Sequence, residues 1–545
     1  MIDLWYKNAL VYCLDVETFQ DGNDDGVGDF AGLTRRLDHI AALGATCIWL
    51  LPFQPSPNHD NGYDVSDYYG VDPRLGTLGD FVEFTHQSRD RGIRVLIDLV
   101  VNHTSDQHPW FQAARRDPES PYKDYYVWSK ERPEDADEGI VFPGVQESTW
   151  SWDDAVGAYY FHRFFDHQPD LNISNAAVRE EIQRIMGFWL QLGVSGFRID
   201  AAPFLIGQPH GEANPPQDPH RYLNEMRDFL SWRRGDAVLL AEANVPMNEI
   251  GPFFGDGDRM HMLFNFLACE TLFLGLARRE ATPLVRGLRS LPEKPDKCQW
   301  ASFVRNHDEL NLSRLPDEER EEVYQAFAPD PDMRLYDRGI RRRLPPMVDG
   351  DRRCMELAYA VMLSLPGTPV LRYGEEIGMG ENLSLPDRQA VRTPMQWSDD
   401  TNGGFSQAPV DRLVVPATAD GRFGYRQVNV TAQQRDSSSF LLWMQRAVQA
   451  RRSCPEFGWG DFRILQVDDG AVMAHRCTWR GKTVLAVHNF ADSEREAKLP
   501  LRRDEARQLL EHFCDSDYDQ PGEDGTVRLR PYGYRWFRLG AAPHR

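Results

Sequence analysis

Four apolar runs in this 545-residue chain end in groups able to carry charge or move protons: DLVVNH (98–103), GFRIDA (196–201), AVLLAE (237–242) and FVRNHDE (303–309). Each run is short enough to be a buried strand, and three of them deliver a carboxylate at or near the end: Asp200, Glu242 and Asp308. One such carboxylate alone would read as a helix cap or an ion-pair partner. Three at the ends of separate strands converge on a single cavity, and paired carboxylates in a sugar-sized cleft are the equipment of glycoside chemistry, one acting as nucleophile and one as acid/base.

The elements that must position them are legible as eight apolar runs, at 10–16, 46–52, 94–101, 196–201, 237–242, 262–266, 301–306 and 369–374. Helical patterns lie between them, such as 33–44, 81–92 and 178–193, each ending at a glycine. Strands alternating with helices predict an α/β protein of parallel βα units, either a closed (β/α)8 TIM barrel or an open doubly wound sheet. In the barrel, functional side chains gather at the C-terminal strand ends. The interval between the third and fourth runs is long and rich in Trp, Tyr, Pro, Asp and His, which predicts an inserted subdomain. After FLLWMQRAVQARR (440–452) the pattern turns to strand-like segments separated by turns, predicting a C-terminal antiparallel β-domain from about 455.

Composition narrows the partners. Asp plus Glu number 83 against 61 Lys plus Arg, a net charge of −22, which repels nucleic acid and anionic membrane and suits a neutral substrate. No apolar run approaches the ~20 residues of a membrane span. The N-terminus lacks the pattern of a signal peptide, and the eight cysteines are scattered with no paired spacing, as expected of reduced thiols in a cytoplasmic protein. Association into a homo-oligomer is left open.

The order and wording of DLVVNH, GFRIDA, AEAN (241–244) and RNHD (305–308) resemble the α-amylase superfamily, glycoside hydrolase family thirteen, along essentially the whole chain. QPDLN (168–172) resembles its oligo-1,6-glucosidase and α-glucosidase subgroup. The strings HPWFQAAR (108–115), YYFHRFFDHQPDLN (159–172), YGEEIGMG (373–380) and DRQAVRTPMQW (387–397) are most similar to the members that isomerise maltose and trehalose. The resemblance implies a barrel formed by 1–102 and 175–454, a subdomain B at 103–174 after strand three, and a C-terminal β-sandwich at 455–545. It implies Asp200 as nucleophile, Glu242 as general acid/base and Asp308 as transition-state stabiliser. Arg198, two residues before Asp200 and on the same strand face, can hold the nucleophile ionised. For the donor glucose the resemblance implies Asp60 and Arg392 on the outer hydroxyls, Tyr63 as a stacking face, and His103 and His307 on ring hydroxyls. Phe164 and Gln168 would wall the pocket, with Asn244, Glu309 and Arg388 at the acceptor glucose.

An isomerase must also keep the freed glucose and exclude water while it turns; the aromatic insertion is placed to be that lid. Hydrolysis or intermolecular glucosyl transfer on short α-glucosides would use the same catalytic set, so both readings stand at this point. Ala201, where α-1,6-specific relatives carry Val, points to α-1,4 substrates. Glu17 and Thr18 stand where relatives carry a basic residue and a serine near the barrel mouth. Gly207 replaces a Glu that would join Asn102 and Asp170 at a second calcium, so that site is expected to lack its carboxylate.

Residues 21–29, DGNDDGVGD, begin like an EF-hand loop. A strand precedes them, however, and the twelfth position is Gly32 instead of a bidentate Glu. The expectation is a structural cage, with the side chains of Asp21, Asn23, Asp25 and Asp29 and the carbonyl of Val27 around a Ca2+, with Mg2+ as the other candidate.

Overall fold

A computed structural model of the chain describes residues 3–206 and 218–540. Its centre is a closed barrel of eight parallel strands: Val11–Leu14, Cys47–Leu50, Arg94–Leu99, Gly196–Ile199, Val238–Ala241, Met262–Phe264, Gln299–Phe303 and Thr368–Arg372, with the eighth paired back to the first. Each lies inside or within two residues of a run predicted from the sequence, and closure decides against the open sheet. Nearly every strand residue is buried, because side chains on one face fill the barrel and those on the other meet the helices. Continuous apolar runs are the consequence.

Local chemistry sets the helix ends. Thr77 and Asp80 form a reciprocal capping box at Leu78–Asp90. Asn175 caps Ala176–Gln191, and Gly193 beyond it takes φ 107°, a left-handed value that favours glycine. The expected helix at 33–44 is two, Phe30–Arg35 and Leu37–Leu43. The break falls at Arg36, whose Nε donates to Gln20 Oε1 at 2.6 Å and whose guanidinium lies 4.1 Å from the centre of the Trp397 ring.

Between the third and fourth barrel strands the chain builds the inserted unit. It holds the helix Pro109–Arg116 and an antiparallel sheet of Trp128–Ser129, Ala158–Phe161 and Trp150–Asp153. Isolated bridges His103–Asp170 and Tyr126–Leu171 stitch its ends together. Most of its aromatic rings pack on one another: Phe111 stacks on Trp128 and meets Tyr160 edge-on, and Trp150 lies against Phe161. That accounts for much of its aromatic content as core.

Beyond Phe440–Arg452, five antiparallel strands (Asp461–Leu465, Val472–Trp479, Lys482–Asn489, Tyr534–Leu539, Leu509–Cys514, in spatial order) form one sheet. The pair Arg495–Lys498 and Thr526–Leu529 forms a second. Val472, Leu485, Val487, Ala497, Val527, Leu529 and Phe537 make a separate buried cluster shared by the two sheets, as in a sandwich. The domain is tied to the barrel by Trp443 Nε1 donating to the Tyr534 hydroxyl at 2.6 Å and His475 Nε2 donating to the Ser364 carbonyl at 2.9 Å. The eight cysteines are free, and no described helix is long and apolar enough to cross a membrane.

Candidate active site

Strand ends place the chemistry. Asp200 follows the fourth strand directly, and Glu242 follows the fifth; the Glu242 amide donates to the Ile199 carbonyl at 3.1 Å and the Ala202 amide to the Glu242 carbonyl at 3.2 Å. These bonds fix the two carboxylates side by side. Arg198, buried on the fourth strand, joins them: Nη1 reaches Asp200 Oδ1 at 2.5 Å and Nη2 bonds Glu242 Oε2. A third acid, Asp98, sits opposite Arg198 in the strand register and accepts from it at 3.2 Å, from Trp49 Nε1 at 2.6 Å and from the Tyr63 hydroxyl at 2.7 Å. Ala201 then turns the chain at φ 50°, in the left-handed region, and lines the cavity.

Charge is distributed unevenly. Burial pushes the Glu242 carboxyl up to about 7, and the charges of Asp200 and Asp308 push the same way against Arg198. Burial raises Asp200 to about 6, with Asp98 and Asp308 adding to the rise and Arg198 opposing it. Burial would raise Asp308 too, but Arg388 and Arg392 hold it well below the usual carboxylate range. Arg392 Nη2 bonds Asp308 Oδ1 at 2.7 Å and Arg388 Nη1 lies 3.2 Å from the same oxygen. The arrangement therefore keeps Glu242 able to carry a proton near neutrality while Asp308 stays an anion.

The cavity holds about 370 Å³, within the range of small-molecule sites. Asp200, Glu242 and Asp308 line it together with Asp60, Tyr63, His103, Phe164, Asn244 and Arg388. Five expected residues stand behind this lining. Gln168 donates to Asp60 Oδ2 at 2.9 Å, Arg198 serves the acids, and His307 bonds the Tyr63 hydroxyl at 2.8 Å with the two rings parallel. Arg392 also binds the His307 carbonyl and Asn61 Oδ1, each at 2.8 Å. Glu309 is buried between Arg388, 2.8 Å away, and Arg338, 3.2 Å away. His103 Nε2 donates to the Tyr63 carbonyl at 3.1 Å, which leaves Nδ1 unprotonated in the neutral ring; burial lowers its pKa to about 4.

Sequence reasoning missed Asp98, Phe142, Phe204, Arg314 and Arg338. The last four line the cavity. Phe142 stacks on Phe165 at 4.7 Å and leans on Tyr336 at 4.8 Å, while Phe164 meets Phe204 edge-on at 5.3 Å. Together they make an aromatic wall from the insertion and two barrel loops. Asn244 is held by Arg314, whose Nε donates to Asn244 Oδ1 at 3.0 Å. Glu17 and Thr18 do not line the cavity: Glu17 pairs with Arg74 at 3.4 Å and Thr18 hydrogen-bonds the Tyr373 hydroxyl at 2.9 Å. Asn102 and Asp170 are buried, and each has a side-chain oxygen without a hydrogen-bond partner; burial raises Asp170 to about 7. Gly207 lies outside the described residues.

At the 21–29 loop, Asp21 Oδ2 accepts from the Gly26 amide at 2.8 Å and from the Ser406 hydroxyl at 2.6 Å. Asn23 and Asp25 turn back on the amides of Asp25 and Val27, both at 2.9 Å. Gly26 has φ 101°, and a Cβ there would meet the Arg412 carbonyl at 2.2 Å, so glycine is required. Asp29 caps Phe30–Arg35. Its carboxyl is raised by burial, with Asp21 and Asp25 adding repulsion. The side-chain oxygens of Asp21, Asn23, Asp25 and Asp29 thus accept from backbone amides of the turn and from the Ser406 hydroxyl.

A closed parallel barrel with Asp and Glu at successive strand ends, bridged by one arginine, and an opposed Asp held by two more, defines a glycosidase-type site. The chain belongs to the α-amylase family: the family described as alpha amylase, catalytic domain, matches residues 15–327 and 341–460, and a sucrose hydrolase-like C-terminal domain matches 481–538. It is 41% identical to a trehalose synthase of Pimelobacter sp., covering 98% of this chain and 96% of that one. It is 45% identical to the trehalose synthase/amylase TreS of Mycolicibacterium smegmatis, covering 98% and 92%. Among solved structures, the trehalulose synthase MutB of Pseudomonas mesoacidophila superposes with a TM-score of 0.78 at 26% identity, covering 98% of this chain and 99% of that one.

Proposed function

We propose that the chain is an intramolecular glucosyltransferase that interconverts maltose and trehalose. The reading rests on similarity to trehalose synthases along 98% of the chain, and the site supplies the physics. Asp200 attacks C1 of the non-reducing glucose while Glu242 gives its proton to the glycosidic oxygen, yielding a glucosyl ester and free glucose. The positive charge growing at C1 and the ring oxygen faces Asp308, kept anionic by Arg388 and Arg392. The freed glucose turns beneath the aromatic wall of Phe142, Phe164 and Phe204. Its C1 hydroxyl then attacks the ester, Glu242 takes the proton, and Asp200 leaves as carboxylate with an α,α-1,1 bond made. Water in place of glucose would make two glucoses, so the wall decides the outcome. Incubation with maltose should give mainly trehalose with little glucose; glucose without trehalose would overturn the isomerase reading in favour of a hydrolase.

The 21–29 loop, in this reading, holds a structural Ca2+ or Mg2+ through the side chains of Asp21, Asn23, Asp25 and Asp29 and the Val27 carbonyl. The ion would brace the first βα connection against residues 405–414, which the loop already meets through Asp21–Phe405 and Gly26–Val414 backbone bonds of 3.0 Å. A chelator should lower the melting temperature and Ca2+ restore it. An Asp21→Ala, Asp25→Ala variant that responds to chelator as the parent does would sink this assignment. The unpaired cysteines fit a cytoplasmic location; recovery of the native protein only from a secreted fraction would count against it.

A further inference from the structure

Outside the catalytic machinery, His59, Asp64 and His167 each bring one ligand atom within 4.8 Å of the others. The loop from Ser56 winds around the fully buried Asp64 carboxylate. Oδ1 accepts the Ser56 hydroxyl at 2.9 Å and the Asp60 amide at 3.1 Å, and Oδ2 accepts the His59 amide at 3.0 Å. Left-handed residues at Asn58, Asn61 and Gly62 accommodate the winding. His59 is exposed at the turn, and half-buried His167 arrives from the inserted subdomain, the two rings meeting edge-on at 5.1 Å. His167 Nδ1 lies 3.6 Å from Asp166. Its Nε2 is shut off from solvent and has no hydrogen-bond partner, an unfavourable state for a buried polar atom.

We infer that these three side chains form a binding site for a divalent transition metal of the zinc class, with water completing a four-coordinate shell. Two imidazoles and one carboxylate favour zinc, cobalt or nickel over the hard cations that suit the all-oxygen 21–29 loop. The carboxylate is held in place by its three donors, and the His167 ring, one nitrogen of which has no hydrogen-bond partner, is available as a ligand. The two histidines do not line the cavity, but each adjoins a residue at or behind its wall. Asp60 follows His59, Gln168 follows His167, and Gln168 donates to Asp60. A bound ion would therefore clasp the 56–64 loop of the barrel to the 165–170 stretch of the insertion, immediately behind Asp60.

Full-length protein titrated with Co2+ in excess Ca2+, followed by its visible ligand-field absorption, tests the site, with Zn2+ calorimetry in parallel. One equivalent should bind with a four-coordinate spectrum, and Zn2+ should raise the melting temperature. His59→Gln, an exposed change that leaves the core untouched, should weaken binding ~10-fold or more and cancel the thermal shift; the His59→Gln, His167→Gln double variant should abolish both. Equal Co2+ binding by parent and His59→Gln, or no binding by the parent, would overturn the proposal whatever the enzyme does with maltose.

Discussion

Two sides of the same cavity use the same residue types in opposite proportion. On one side three acids, Asp98, Asp200 and Glu242, share the single guanidinium of Arg198. On the other, two acids, Asp308 and Glu309, are met by three arginines, Arg338, Arg388 and Arg392. Burial pushes the carboxyls up on both sides, and the ratio of charges separates their protonation. The acid-rich side drives Asp200 to about 6 and Glu242 to about 7, while the arginine-rich side holds Asp308 well below the usual range and lowers Glu309. A catalyst that needs one exchangeable proton and one permanent anion within a single cavity obtains both by counting arginines.

The most severe way to break the acid-rich side is to remove its nucleophile. Asp200→Asn keeps the shape and an acceptor for Arg198, so the fold should survive while turnover on maltose falls by about 10^4–10^6. Circular dichroism and initial rates decide it; retention of more than about one hundredth of the rate would move the nucleophile elsewhere.

On the arginine-rich side, Asp308→Asn leaves Arg388 and Arg392 facing the developing positive charge with no anion between. The chemical step should slow by about 10^2–10^3, the scale of losing one preorganised electrostatic group, with the larger change in kcat than in KM. A variant whose KM alone rises would show Asp308 to be a binding residue only.

The unequal protonation sets a pH dependence. Activity needs Asp200 ionised and Glu242 protonated, so the rate should follow a narrow bell with apparent pKa values near 6 and near 7 belonging to the coupled pair. The sign for stability follows from the raised values. Between the ordinary carboxylate pKa and about 7 the folded chain keeps protons that the unfolded chain has released, so the contribution is complete at low pH and is lost as pH rises through that window. Glu242→Gln removes the titrating group. It should abolish the alkaline limb of any residual activity and stabilise the fold at pH 7 by about 1–3 kcal/mol. Chemical denaturation at pH 5 and pH 7 measures it; equal parent and variant stability at both would contradict the raised Glu242 carboxyl.

What could be read without coordinates follows from how far apart the cooperating residues lie in the chain. Barrel strands and their terminal acids were legible because each is a short apolar run with its polar residue at the exit, and burial on both faces makes that pattern continuous. Asp98 escaped because it lies inside the third run, four residues before Asn102. Only the lateral register with Arg198 shows that it faces inward, although alternation along DLVVNH would place Asp98, Val100 and Asn102 on one face. Phe142, Phe204, Arg314 and Arg338 come from loops with no periodicity, and their meeting depends on how the insertion closes on the barrel. The break at Arg36 likewise depends on Gln20 and Trp397, the latter more than three hundred residues away. Gln168, His307, Arg392 and Glu309 were expected at the pocket, and each bonds a residue that lines the cavity: Asp60, Tyr63, Asp308 and Arg388 in turn. A motif marks that a residue belongs to a site, not which layer of it.

The gentlest test of the charge ratio lies in that missed residue. Asp98→Asn removes a carboxyl, itself raised by burial to about 6, from the acid-rich side at a residue that does not line the cavity. Asp98 raises the Asp200 carboxyl, so its neutralisation should move the acid limb of the pH–rate profile downward by less than about one unit. The alkaline limb should move less, since Asp200 and Asp308 are the acids that chiefly raise Glu242. A cost accompanies the shift. The carboxylate accepts from Trp49 at one oxygen and from Tyr63 and Arg198 at the other, whereas an amide offers one acceptor and turns a donor towards the remaining partners. Mispairing at a buried polar group costs ~1–3 kcal/mol, so the variant should also melt earlier. The two readouts separate the roles of Asp98. A lower melting temperature with an unmoved acid limb would make it a strut for Arg198 alone, and a moved limb would show that the third acid helps to set the protonation of the nucleophile.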